Sequence, residues 1–283
     1  MRKLTITSEN GSGIAISNTA PYILRYLDGI GIPGNEAETR KSPNQDGVTY
    51  IKSTFETREI VIGVGIVEQD EESLYEYREN LAKVLNPKYR LSILLEYPGN
   101  KKLITGYLVG EVVYTRDGSI GNNNAELTIE CDNPFWTDET KSSARLAISV
   151  PTFHFPLAFA PKITFSKILN KQVEITNYGH VNAPVNIKFY GPSTNPIITN
   201  ETTGLFIKVN KTLLSGEVLE INTYEGKKYV KIDGVNVFGY IDLTSNLSEF
   251  ALIPGENIIA YDADSGASSA EVIITYNNRY VGV

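Results

Sequence analysis

Four groups of residues have types and spacings that chemistry can use. Gly29-Ile30-Gly31-Ile32-Pro33-Gly34 fits the Gly-x-Gly-x-x-Gly string, whose glycines let a backbone approach a pyrophosphate at the start of a helix. That site needs a strand before the string and a helix beginning within it. Pro33, Gly34 and Asn35 lead instead into a polar stretch without helical periodicity, so the string reads as a loop. Cys131 or a serine, with His154 or His180, would supply a nucleophile and a base. Cys131, however, ends a strand-like run, and His154 lies in Phe153-His154-Phe155-Pro156, the apolar setting of a packed histidine. No motif fixes a partner for either. Asp70, Glu71 and Glu72 offer the paired carboxylates of glycoside hydrolysis, yet they crowd a first helical turn, where acids answer the helix dipole, and Glu76 and Glu79 fall on its solvated face. Asp262-Ala263-Asp264-Ser265-Gly266 begins like a calcium loop but lacks the further carboxylate spacing and the closing glutamate, which leaves a turn. The reading is of a chain that is not an enzyme and holds no cofactor or metal.

The bulk chemistry narrows the classes further. Twenty-six basic against 33 acidic residues give a formal charge of -7, whereas a surface that neutralises nucleic-acid phosphates needs clustered Lys and Arg. Sequence-specific nucleic-acid binding is therefore not expected. Cys131 is the only cysteine, so no intrachain disulfide can form, and the reading is of a fold made in a reducing cytoplasm. Met1 to Thr7 turns polar too soon for a signal peptide, and no segment approaches the ~18 uninterrupted apolar residues of a membrane helix. Membrane insertion is not expected. With 41% hydrophobic and 21% charged residues over 283 positions, the composition is that of a folded protein of two domains.

The elements that must position these residues are mostly strands. Leu4 to Thr7 and Gly13 to Ile16 alternate apolar with small or polar residues. Thr54 to Ile66 runs into Ile60, Ile62, Val64 and Ile66 on one face. Leu91 to Tyr97 and Lys102 to Val109 flank a Pro98-Gly99-Asn100 turn, the signature of a hairpin, and Glu111 to Tyr114 and Ala125 to Glu130 add strands. One segment differs: Leu74, Tyr77, Leu81 and Leu85 recur at helical spacing and Asn86-Pro87 supplies a stop, which predicts a helix near 71–85. Between Asp28 and Gly47 the period of two disappears into Gly, Pro, Asn and charge. That stretch is long for a connection within a domain, and it is expected to be mobile or ordered by a partner. A polar stretch from Thr137 to Ser143 places the boundary, giving domains 1–139 and 140–283. In the second, strands at Val173 to Thr176, Val185 to Phe189, Leu205 to Val209, Val218 to Asn222, Lys228 to Ile232, Ile258 to Tyr261 and Glu271 to Tyr276 recur between turn clusters, the pattern of a β-sandwich.

Several phrases follow one another in a meaningful order: Pro21-Tyr22-Ile23-Leu24, Leu27-Asp28-Gly29, Gln45-Asp46-Gly47, Arg58-Glu59-Ile60, Leu85-Asn86-Pro87-Lys88 and Cys131-Asp132-Asn133-Pro134-Phe135-Trp136. Phe155-Pro156-Leu157, Ile175 to Gly179, Asn195 to Asn200, Thr203-Gly204, Leu252 to Asn257 and Tyr276 to Tyr280 continue the series. Together they resemble the distal tail protein family of siphophages, the hub of the baseplate, a family also found in phage-tail-like particles.

The resemblance implies a mainly β fold, an N-terminal ring-forming β domain with one α-helix followed by a C-terminal galectin-like β-sandwich. It implies a structural role at the virion tail tip, after assembly in the bacterial host cytoplasm. The chain is expected to form a homo-oligomer, a hexameric ring, that joins the major tail tube protein to the tail-associated fibre or lysin protein and can carry receptor-binding proteins. The stretch holding Asp28, Gly34, Asn35, Arg40, Gln45 and Asp46 is the expected assembly-interface loop. The alternative is a carbohydrate-binding sandwich recognising the host cell wall, with Tyr178, Tyr190, Tyr224 and Tyr240 available for stacking.

Overall fold

A computed structural model describes residues 2–67, 71–116, 122–146, 149–151, 166–168, 171–267 and 270–283. Asp70, His154 and the Phe155-Pro156-Leu157 phrase lie outside these residues. The chain is mainly β and divides into two compact units: residues 1–139 with 280–283, and residues 140–279. Tyr280–Val283 thus group with the first unit, because their contacts are with residues of that unit.

The first unit is a curled sheet closed over a helix, with a separate two-stranded hairpin. Its strands are β1 (Lys3–Ser8), β2 (Gly13–Ile16), β3 (Tyr22–Asp28), β4 (Asn35–Arg40), β5 (Thr49–Phe55), β6 (Arg58–Val67), β7 (Leu91–Tyr97), β8 (Asn100–Arg116), β9 (Asn122–Cys131) and β10 (Trp136–Asp138), with α1 (Glu71–Val84) between β6 and β7. The antiparallel order runs β2-β1-β7-β8-β9-β6-β3, with β10 beside β8. The two ends of that order meet, since Ser17 N–H donates to the Tyr22 carbonyl at 3.1 Å and Leu24 N–H to the Ser17 carbonyl at 2.6 Å. Alternation decides which side faces in. Leu4, Ile6, Ile60, Ile62, Val64, Ile66, Ile93, Leu127 and Ile129 are buried with Leu81 and Val84 of the helix and with Leu85 just after it in one core. Each such side chain contributes about 1.5–3 kcal/mol by leaving water. Tyr97 pairs with Asn100 across Pro98-Gly99, where Gly99 takes a positive φ of 81° that suits a residue without Cβ.

Two sequence expectations change here. The Asp28–Gly47 stretch is not featureless, because it contains β4, which pairs antiparallel with β5 from Asn35–Phe55 to Arg40–Thr49. Nor is Thr54 to Ile66 one strand, since β5 ends at Phe55 and β6 begins at Arg58. Both differences have one cause: every residue of β4 and β5 is exposed, and a strand that packs on no core has no reason to alternate.

The second unit is a sandwich of the galectin-like kind. One sheet orders Ser142–Leu146, Glu271–Tyr276, Ala183–Tyr190, Val218–Asn222, Tyr229–Ile232 and Val235–Asn236; the other orders Gln172–Asn177, Gly255–Asp262, Ile197–Asn200 and Leu205–Lys208. Val185, Ile187, Phe189, Ile221 and Val272 from the first sheet share a core with Ile175, Ile198, Ile207, Ile259 and Tyr261 from the second. Three buried amides pin the Leu252–Asn257 turn. Asn257 accepts from Ile253 N–H at 2.9 Å and from the Asn200 side chain at 3.1 Å, while Asn177 donates to the Leu252 carbonyl at 2.9 Å. Unpaired amides there would each cost about 1–3 kcal/mol, so these residues fix the turn rather than merely occupy it.

Candidate assembly surface

Among the described residues, strands β4 and β5 pair only with each other and join no other sheet. An isolated two-stranded hairpin is marginal in water, and both of its outer edges present unpaired backbone groups to any second chain. Its register sorts the side chains. Glu36, Glu38, Arg40, Lys52 and Thr54 fall on one face; Asn35, Ala37, Thr39, Tyr50, Ser53 and Phe55 fall on the other, with Ile51 extra at a bulge. The charged face carries an ion pair between Lys52 and Glu38 at 3.3 Å. Apolar surface on the hairpin stands in water: Tyr50 is 62% and Ile51 49% exposed, and Val48 and Phe55 are exposed too. At the base, Phe55 packs edge-to-face on Phe135 with ring centroids 5.4 Å apart, and Glu56 N–H donates to the Gly34 carbonyl at 2.9 Å.

The structure gathers five of the six expected interface residues on this hairpin. Gly34 immediately precedes β4, and a Cβ there would lie 2.5 Å from a Glu56 carboxylate oxygen. Asn35 opens β4 and Arg40 closes it. Gln45 braces the tip, accepting from Ser42 N–H and donating to Thr49 Oγ1, each at 3.0 Å, and Asp46 is exposed beside it. Asp28 is apart from them, ending β3 opposite Val61 on the main sheet. Sequence reading missed Tyr50, Ile51 and Phe55. Their β-branched and aromatic neighbours in Thr-Tyr-Ile-Lys-Ser-Thr-Phe were the available signal.

The chemical candidates of the sequence find ordinary roles. Burial pushes the Cys131 thiol up to about 12, which keeps it protonated and poorly nucleophilic. His180 is exposed. Glu72, Glu76 and Glu79 are exposed along α1. Asp262 pairs with Lys171 at 3.1 Å, and Asp264 accepts from Asn195 at 2.7 Å and faces Lys208 at 3.7 Å. Gly29 needs its lack of a side chain for a local reason: φ is +80°, and a Cβ would lie 1.9 Å from the Glu59 carbonyl oxygen. The loop after it leads to a strand, not a helix. Among the described residues no cluster of three His, Cys, Asp or Glu could hold a metal, and no helix is long and apolar enough to cross a membrane. Two of the tyrosines offered for sugar stacking already carry cations on their rings, Lys211 at 4.3 Å from the Tyr240 centroid and Arg279 at 5.8 Å from that of Tyr224.

A second exposed apolar surface lies on the sandwich. Val235, Phe238, Tyr240 and Leu243 are exposed around a short 3-10 turn, Leu243 at 102%, beside a groove of about 540 Å³ lined in part by Lys228, Phe238, Ile241 and Glu249.

Comparison with known proteins decides the family. The family model described as phage tail protein RIFT-related domain matches residues 9–148, and that of the siphovirus-type tail component, C-terminal domain, matches residues 178–280. The chain belongs to the distal tail protein family of siphophages. Solved structures agree on the fold. The chain is similar to the distal tail protein Dit of phage SPP1, described as a paradigm of the hub adsorption apparatus in phages infecting Gram-positive bacteria, at 13% identity and a TM-score of 0.68, covering 98% of each chain. It is also similar to a chain of the phage P2 baseplate in its activated conformation with Ca, at 10% identity and a TM-score of 0.57, covering 100% of each chain. A phage p2 baseplate with Sr gives 11% identity and a TM-score of 0.54, covering 97% of this chain and 98% of the other. No curated protein sequence matches. Distal tail proteins are structural components of the phage tail and baseplate, which places this chain among tail-tip proteins.

Proposed function

We propose that this chain is a baseplate hub subunit whose copies close into a hexameric ring, with the first unit forming the ring and hairpin β4–β5 reaching a neighbouring copy. The observation that carries this reading is the hairpin itself. Among the described residues it has no further strand partner, yet it exposes Tyr50, Ile51 and Phe55 beside two open strand edges, an arrangement that a head-to-tail contact around a closed ring would satisfy. The ring would join the major tail tube protein on one side to the tail-associated fibre or lysin protein on the other, and the exposed Val235–Leu243 surface supports attachment of receptor-binding proteins to the sandwich.

The test is the mass of the purified chain across a range of concentrations, by light scattering after size exclusion, alone and with tail tube protein. Wild type is expected to give a six-copy species, and the Tyr50→Ser, Ile51→Ser double variant a folded monomer with unchanged circular dichroism. A double variant that assembles like wild type would remove the hairpin from the contact, and a wild type that stays monomeric under both conditions would sink the ring.

A further inference from the structure

Both ends of hairpin β4–β5 converge on one side chain. The chain enters the hairpin through residues 29–34 and returns through Glu56 and Thr57 to Arg58, the first residue of β6. Arg58 is 2% exposed, and all four of its hydrogen bonds end on backbone carbonyls. Nε donates to Pro134 at 2.7 Å, Nη1 to Gly29 at 2.5 Å and to Gly31 at 2.6 Å, and Nη2 to Val281 at 2.5 Å. The last acceptor belongs to the closing segment of the chain, which has further ties to the same place. Val283 N–H donates to the Ile30 carbonyl at 3.1 Å, and Gly282 runs so close to Gly31 that a Cβ would lie 3.0 Å from the Gly31 carbonyl carbon. Just upstream, Tyr280 lies under a second buried cation. Lys102 Nζ sits 3.5 Å from its ring centroid and 2.6 Å from Asp138, to which the Tyr280 hydroxyl also donates at 3.3 Å.

A planar guanidinium with donors in a fixed fork can satisfy four separate carbonyls at once; a lysine, a point charge on a flexible stem, cannot. The carbonyls it gathers come from the hairpin's entry loop, from the Pro134 turn and from the closing segment, while its own backbone is the hairpin's exit. Residues 29–31 are also tied to residues 281–283 by the Val283–Ile30 bond and the Gly282–Gly31 approach.

We propose that Arg58 and Tyr280–Val283 form a clasp that fixes where hairpin β4–β5 leaves the first unit, making Arg58 a positioning residue for assembly. The proposal rests on the hairpin being the assembly segment. Holding both ends of a marginal hairpin before a neighbour arrives lowers the ordering cost of the encounter, so the clasp acts on assembly through the hairpin's direction rather than through any contact of its own.

The experiment compares the full chain with Arg58→Lys and with a variant lacking Val281–Val283, under conditions where wild type assembles. Hydrogen exchange is followed in peptides covering residues 29–55 and in control peptides from β7 and β9, and the concentration for half-assembly is read by light scattering. The clasp predicts faster exchange in 29–55 by about tenfold, the loss of a charge-assisted hydrogen bond, with controls unchanged and half-assembly moved to higher concentration by a similar factor. Unchanged exchange in 29–55 in both variants overturns the clasp. Faster exchange with unaltered assembly removes the hairpin from the ring contact, and with it Arg58's role in assembly. If Arg58→Lys loosens the controls as well, the deletion decides, because residues 281–283 belong to no strand; loosening throughout in that variant too makes the segment a general stabiliser and ends the proposal.

Discussion

The first unit contains two hairpins that differ in almost every physical respect. Hairpin β7–β8 sits in the middle of the sheet, paired on its far sides to β1 and β9, with Leu91, Ile93, Leu95 and Ile104 buried. Hairpin β4–β5 has similar antiparallel pairing but, among the described residues, no flanking strand, and no residue of either strand is buried. One is held by burial within its own chain. The other has backbone pairing and little else, so its stability and its use both depend on what comes to it. On the function proposed above, these hairpins divide folding of the single chain from its association with neighbours.

The largest test of that division is a matched pair of truncations. Ile93→Ala, in the buried hairpin, is expected to cost about 2–5 kcal/mol in chemical unfolding, while Ile51→Ala, in the exposed one, should stay within about 0.5 kcal/mol and show itself only in assembly. Equal costs would mean that the exposed hairpin packs on its own chain after all. Two turn glycines sharpen the contrast at smaller scale. Gly29→Ala, at the root of the exposed hairpin, meets the Glu59 carbonyl and is expected to cost about 1–3 kcal/mol or more. Gly99→Ala, at the tip of the buried one, has nothing within 4 Å of the new Cβ and bears only the positive-φ cost, about 1 kcal/mol, both read by thermal unfolding. The smallest effect is expected from Lys52→Ala. Its ion pair with Glu38 is exposed on both sides, so unfolding midpoints should barely move, by under about 1 kcal/mol.

The same contrast explains what the sequence made legible. Ile60, Ile62, Val64 and Ile66, and Leu74, Tyr77, Leu81 and Leu85, carry the periods of two and of 3.6 because each packs on a core, and those stretches are strand and helix as read, save that the strand starts at Arg58 rather than Thr54. Strand β4, Asn-Glu-Ala-Glu-Thr-Arg, packs on nothing, so its pairing left no period to read. Several phrases that gave the family resemblance turn out to meet in space. Leu27-Asp28-Gly29, Arg58-Glu59-Ile60 and the Pro134 phrase converge on the Arg58 guanidinium, and Asn177, Asn200 and Asn257 on the Leu252–Asn257 turn. That Gly29, Pro134 and Val281 share a donor was out of reach, because a bond to a backbone carbonyl constrains the donor's type and leaves the acceptor's residue type unmarked.

The separation of Arg58 from its acceptors along the chain also sets a clock. Pro134 follows it by 76 residues and Val281 by 223. At ~5–20 residues per second of synthesis, the Pro134 carbonyl becomes available within several seconds and Val281 only after tens of seconds, once the entire second unit has been translated. A nascent subunit whose second unit is still being translated therefore has a first unit with one side of its guanidinium shell open.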